Sequence, residues 1–342
     1  MLEKPPIADE KIVTCLSKAY GLHVRSLNFL AWGADVNTAV YRAIGADESA
    51  YFVKMRQDNF DEMSLIVPSY LHEQGIMHIS APLKTTSSAL WVTLEDYHLS
   101  VSPFITGHNG FETHLTDAQW NTLGATLKRL HTAPVPNGLQ SQLQYETFSD
   151  HFRQKVTHFQ QMVANTDFHE PISAALADLL RTQRQTISYM IGRASYLAMQ
   201  LQENTPDYVL CHADIHAGNV LIGDEGQLYV VDWDTVMLAP KERDLMFTGG
   251  GIGSEWRGKR GIEQFYEGYG PTEINSLALA YYRYERIVED IAAYCEEIWL
   301  SGQSDADRTE GLRQLSNQFE PGDVVDIARQ TDDLLPSQHR RL

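Results

Sequence analysis

Apolar positions recur along this chain with two periods, and the change from one to the other divides it. Ile12, Val13, Leu16 and Ala19 fall at helical spacing and Gly21 stands where a helix would stop, which predicts a helix over residues 9–20. Three strand-like runs follow, over residues 25–32, 37–44 and 50–56. Gly33-Ala34-Asp35 joins the first pair and Gly45-Ala46-Asp47-Glu48-Ser49 the second, so the runs read as an antiparallel meander. A helix over 60–74, ended by Gly75, comes next. Strands over 79–86 and 89–104, the second bent near Glu95-Asp96, complete a sheet-rich region.

At Phe104-Ile105-Thr106-Gly107-His108-Asn109-Gly110 glycines cluster and the period lengthens. Helices are expected over 116–131, 145–165 and 171–202, and a late one over 273–300. Short strands return over 208–211, 220–222 and 228–231. The expected class is α+β: a small antiparallel-sheet lobe over 1–104, a hinge, and a larger, mainly helical lobe over 105–330. A cleft between lobes is a common ligand site. The polar residues 331–342 read as a loose tail.

The formal net charge of −18 changes the picture of partners. Such a surface repels nucleic-acid phosphates and anionic lipid, which argues against both, and it attracts cations. Solubility alone is an equally good reason for it. No apolar run reaches the roughly 18 residues of a membrane span. Met1-Leu2-Glu3-Lys4-Pro5-Pro6 lacks the apolar block of a secretory signal, and Cys15, Cys211 and Cys295 form no close pair. A cytoplasmic setting is therefore expected.

The chemistry concentrates in Cys211-His212-Ala213-Asp214-Ile215-His216-Ala217-Gly218-Asn219 and in Val231-Asp232-Trp233-Asp234. An aspartate, an amide five residues on and a carboxylate closing an apolar strand form the order that phosphoryl transfer uses. Asp214 would take the proton of an acceptor hydroxyl and position it, while Asn219 and Asp232 offer magnesium a neutral and an anionic oxygen. His212 and His216 flank the base; they would support the loop, with a zinc site as the less favoured reading.

Lys54 closes the apolar triplet Tyr51-Phe52-Val53, where a buried ammonium needs an anion. In kinases such a lysine meets the nucleotide phosphates and is held by a helix glutamate, for which Glu62 stands first and Glu73 second. Gly33 and Asn37, in the first turn, would cover the phosphates through backbone N–H groups, although an ordinary hairpin explains them equally well. Pro103 and Ile105 would offer backbone groups to adenine. No G-x-x-x-x-G-K-[ST] motif is present, which disfavours a P-loop fold.

Acids and aromatics crowd the late helix. Glu285, Glu289 and Glu296 share a face and Trp299 lies nearby; with Asp234 they are the candidate contacts for a cationic substrate. A solvated helix face accounts for the three glutamates as well.

These motifs, with Tyr20-Gly21-Leu22, Gly33…Asn37…Val40-Tyr41, Phe52-Val53-Lys54 and Asp244-Leu245 after Pro240, resemble the aminoglycoside phosphotransferase and choline kinase superfamily. They occur in the family's order over roughly residues 9–330. Ala213 and Ala217 depart from the family's usual glycine and proline, and both are small. The resemblance implies a protein-kinase-like fold, with ATP and Mg2+ as cofactors. It implies Asp214 as base, Asn219 and Asp232 as metal ligands, Lys54 on the phosphates and Asp244 bracing the loop. It also implies a small cationic aminoglycoside or aminocyclitol acceptor, spectinomycin foremost. A metabolic kinase of choline, homoserine or a sugar is the alternative, and a nucleotide-binding pseudokinase is the second.

Overall fold

The computed structural model describes residues 4–32, 37–57, 60–249 and 256–340. In chain order come α1 (Asp9–Tyr20), β1 (Val24–Leu30), β2 (Thr38–Gly45), β3 (Ala50–Arg56), α2 (Met63–Glu73), β4 (Trp91–Leu94), β5 (Tyr97–Pro103) and β6 (Gly107–Asn109). Then follow α3 (Asp117–His131), α4 (Asn137–Gln140), β7 (Gln144–Tyr145), α5 (His151–Asn165), α6 (Pro171–Thr182), α7 (Arg184–Glu203) and β8 (Val209–Cys211). The remainder is β9 (Val220–Gly223), β10 (Leu228–Val230), β11 (Met237–Ala239), α8 (Glu242–Leu245), α9 (Lys259–Tyr269), α10 (Ser276–Leu300), α11 (Asp305–Asn317) and α12 (Val324–Thr331). No described helix is long and apolar enough to cross a membrane.

Contacts group the chain into two compact units. One gathers Met1–His114, Ala133–Leu143 and Ala217–Val236; the other gathers Leu115–Thr132, Gln144–His216 and Met237–Leu342. Strand pairing, rather than the single boundary at 104/105 implied by chain order, decides this. In the first unit β9 pairs with both β10 and β6, and Ile79 bridges Val230.

The first unit carries an antiparallel sheet in the order β1-β2-β3-β5-β4. Ile12 and Leu16 of α1 pack on Tyr41, Val53, Met55, Leu99 and Val101, all buried. Helix α1 ends where the sequence indicated: Gly21 takes φ 70°, and the Leu22 N–H closes back on the Leu16 carbonyl at 3.2 Å. With Val53 and Met55 turned into the core, the two-residue period sends Lys54 and Arg56 to the opposite face of β3.

Residues 79–86 are not a ladder strand. Pro82 has no N–H to give, and this segment makes only the Ile79 bridge and scattered bonds such as Leu83 N–H to the Val101 carbonyl at 2.7 Å.

In the second unit β11 pairs with β7 and β8, so Gln144–Tyr145 is strand rather than the start of a helix. The apolar period over 171–202 is interrupted at Gln183 (φ −91°, ψ 7°). Helix α6 packs on α5 and α11, whereas α7 packs chiefly on α10, and different neighbours require the break. Helices α3 and α9 touch backbone to backbone. A Cβ on Gly124 would lie 2.0 Å from the Phe265 carbonyl oxygen, and one on Gly268 would lie 1.9 Å from that of Asn121. That approach sets His131 Nδ1 2.7 Å from the Tyr269 hydroxyl.

The tail read as loose is anchored. Asp332, 1% exposed, accepts from Arg193 at 2.9 Å, Tyr189 at 3.0 Å and Tyr284 at 2.9 Å. Arg193 also donates to the His339 carbonyl at 2.9 Å, and Leu335 is buried. Asp332→Ala leaves a buried guanidinium without its anion. It should cost about 3–5 kcal/mol, read as a lower urea midpoint at unchanged m-value.

Candidate active site

Two clusters of charge, one in each unit, hold Lys54 and the residues of the two chemistry-bearing motifs. In the first unit Lys54 Nζ lies 3.1 Å from Asp232 Oδ1 and 2.9 Å from Asp234 Oδ2, and Arg56 pairs with the same Asp234 oxygen. Asp232 follows β10 with φ 62°, a left-handed turn uncommon outside glycine that redirects its side chain from the strand. The Val231 N–H donates to the Asn219 carbonyl at 3.0 Å, so Asn219, in the turn Ala217–Asn219, is tied to the residue beside Asp232. Burial pushes the Asp234 carboxyl up, but Lys54 and then Arg56 outweigh it and hold the group well below the ordinary carboxylate range.

In the second unit Asp214 leaves β8 through a bent loop in which Ala213 takes φ 70°. The bend aims two successive backbone N–H groups at Asp244: His212 N–H at 3.0 Å and Ala213 N–H at 2.7 Å. His131 Nε2 completes the shell at 2.9 Å. Burial raises the Asp244 carboxyl, yet His131 above all, with the Ala213 amide, brings it below its ordinary value. Asp214 itself meets Arg286 Nη1 at 2.9 Å and His216 Nε2 at 3.5 Å. Burial again opposes ionisation; the His216 hydrogen bond and the Arg286 charge prevail, so Asp214 is an anion at neutral pH.

His212 is buried, and its Nδ1 accepts the Asp214 N–H at 3.3 Å, which places the ring proton on Nε2. That bond favours loop support over zinc. Among the described residues His131, Cys211 and Asp244 also come together, but both His131 nitrogens already serve Tyr269 and Asp244.

The model of the phosphotransferase enzyme family matches residues 34–282. A spectinomycin phosphotransferase solved with ADP and spectinomycin is 37% identical, with 96% of this chain and 99% of that one covered and a TM-score of 0.89. Its AMP-bound complex gives 36% identity, 94% and 98% coverage and a TM-score of 0.84. A choline kinase from Streptococcus pneumoniae shares the fold at 13% identity, 90% and 99% coverage and a TM-score of 0.55. The chain belongs to the phosphotransferase enzyme family.

The protein is thus a phosphotransferase acting on a hydroxyl group, with the α+β, kinase-like fold of this family. Other residues read from the sequence fall outside the two clusters. Glu62 stands exposed just before α2 and makes no ion pair among the described residues; the carboxylates beside Lys54 come from Asp232 and Asp234 instead. Glu73 pairs with Lys84. Asn37 lies exposed, with its carbonyl accepting the Gln57 N–H at 2.9 Å, and Gly33 lies outside the described residues. Pro103 closes β5 opposite Tyr51, with Ile105 half-buried two residues on.

The late-helix acids are already matched. Glu285 is buried on Arg153, Glu296 lies 2.6 Å from Lys155, and Glu289 lies 3.9 Å from Arg243. Trp299 donates to the Ser173 carbonyl at 3.4 Å and stacks on Phe168. They brace α10 against its neighbours, and Asp234, grouped with them by sequence, faces Lys54 and Arg56. Sequence reasoning missed Arg56, Arg286 and His131. Arg56 had a signal, standing two residues after Lys54 on one strand face; the other two depend on partners far along the chain.

Asp234 has a folded-state pKa below its unfolded value, so the stability it adds is complete above about pH 4 and is lost as pH falls through the lower folded value. The difference in unfolding free energy between wild type and Asp234→Asn should therefore stay constant from about pH 5 to 7 and shrink below about pH 4. Urea unfolding across that range checks it.

Proposed function

We propose that this phosphotransferase moves the γ-phosphoryl group of ATP to a hydroxyl of an aminocyclitol antibiotic, with spectinomycin as the acceptor. One observation carries the choice of acceptor: the neighbour that is 37% identical over 96% of this chain was solved with ADP and spectinomycin. The anionic Asp214, held by Arg286 and His216, supports the chemistry.

Asp214 accepts the proton of the acceptor hydroxyl through a carboxylate oxygen. The hydroxyl oxygen bonds to the γ-phosphorus, the bond from that phosphorus to the β–γ bridging oxygen breaks, and ADP leaves. Asp214 mainly orients the nucleophile, because the transition state is loose. Lys54 meets the nucleotide phosphates, which take over the role its two aspartates play here. The backbone at Pro103 and Ile105 serves adenine, and Gly33 and Asn37 cover the phosphates. Asn219 and Asp232 are hard oxygen donors rising from one short, hydrogen-bonded segment, a set that fits magnesium. When bound, the ion offsets charge on the phosphates. Asp244 acts at one remove, by fixing the loop.

The product would carry about −1.5 to −2 added charge, which ill suits an antibiotic directed at anionic RNA and accounts for a resistance role. Phosphate transfer from ATP should be measured with spectinomycin, choline and homoserine in parallel. Turnover with choline or homoserine but none with spectinomycin would overturn the acceptor assignment. Asp214→Ala should lower turnover by about 100- to 10,000-fold with nucleotide affinity nearly intact. Lys54→Ala should instead raise the nucleotide KM, read from initial rates.

A further inference from the structure

Arg286 is held far more firmly than a surface ion pair requires. It lies in mid-α10 with its side chain 16% exposed, and its Nε stands 2.9 Å from Asp290 Oδ1, one helical turn on. The Gln318 amide donates to the other Asp290 oxygen at 2.9 Å, so that carboxylate is itself fixed. The guanidinium lies 5.7 Å from the centroid of the buried Phe247 ring, which in turn neighbours the His216 ring. From this anchored guanidinium Nη1 meets Asp214 Oδ1 at 2.9 Å.

We propose that Arg286 is the positioning residue of the catalytic base: anchored by Asp290 and Phe247, it holds the Asp214 carboxylate as an anion in a single orientation. The inference rests on Asp214 being the base. Other ionisable groups beside Asp214 are His212 and His216 on its own loop and Asp290 on α10, and Glu289 adds its charge beside Arg286. The two α10 acids offset the Arg286 charge, so a cationic acceptor does not face an uncompensated guanidinium.

The test compares kcat, KM and melting temperature across pH for Arg286→Ala, Arg286→Lys and Asp290→Asn, together with Asp214→Asn and the Asp214→Asn/Arg286→Ala double variant. Arg286→Ala should lower kcat by about 100-fold with the ATP KM within about twofold. The acid limb of its kcat profile should move to higher pH, because Asp214 has lost its neighbouring cation. Arg286→Lys keeps the charge, so that limb should stay near its wild-type position with part of kcat recovered. In the Asp214→Asn background, removing Arg286 should cost nothing further. Arg286→Met, which keeps the stem, serves the same measurements if the alanine variant does not fold. A wild-type kcat and acid limb in Arg286→Ala would overturn the proposal. So would an unmoved limb in Arg286→Ala with activity lost only in step with melting temperature, or an Asp290→Asn variant with wild-type kcat. Full activity in Asp214→Asn would instead remove the base assignment beneath it.

Discussion

A carboxylate with no access to water organises the loop that carries Asp214. Asp244 is 0% exposed, and an isolated anion there would be too costly to persist. It persists because the His212 and Ala213 amides and His131 Nε2 converge on it. Those bonds run both ways: the donors keep the anion, and the anion keeps the loop bent. The left-handed Ala213 survives because this shell over-determines it. His131 is in turn fixed by Tyr269, and the two rings meet because Gly124 and Gly268 let α3 and α9 approach at backbone distance. The direction in which Asp214 points is therefore set by helix packing well away from it in the sequence.

A second constraint is electrostatic. The chain carries −18 net charge, yet the acids that matter here lie beside cations. Lys54 and Arg56 hold Asp234, Arg286 holds Asp214 and Arg193 holds Asp332. In Asp214 and Asp234 the neighbouring positive groups outweigh burial, so both stay ionised. Burial wins at Glu285, whose carboxyl is pushed up to about 7 even beside Arg153. The carboxylate group is thus found in opposite states: an anion beside cations, and a helix brace close to neutrality.

The late helix shows why composition misleads. Helical spacing lines up Tyr281, Tyr284, Val288, Ile291 and Cys295, all of them buried. It also grouped Glu285, Glu289 and Glu296, but a shared face does not say what that face meets. Arg153 and Lys155 on α5, and Arg243 on α8, meet them.

What the residues determined by themselves is local. A two-residue period turned Lys54 away from the core, Gly21 ended α1, and a separation of five positions kept Asp214 and Asn219 on one segment. Such features follow from backbone geometry over a few residues, which neighbouring side chains suffice to fix. Pairings across long separations had no such signal. That Lys54 meets Asp232 and Asp234 rather than Glu62, that Arg286 reaches Asp214, and that Asp332 ties down the tail were decided by tertiary structure. Each depends on which surfaces pack together, and a buried charge accepts whichever opposite charge that packing delivers.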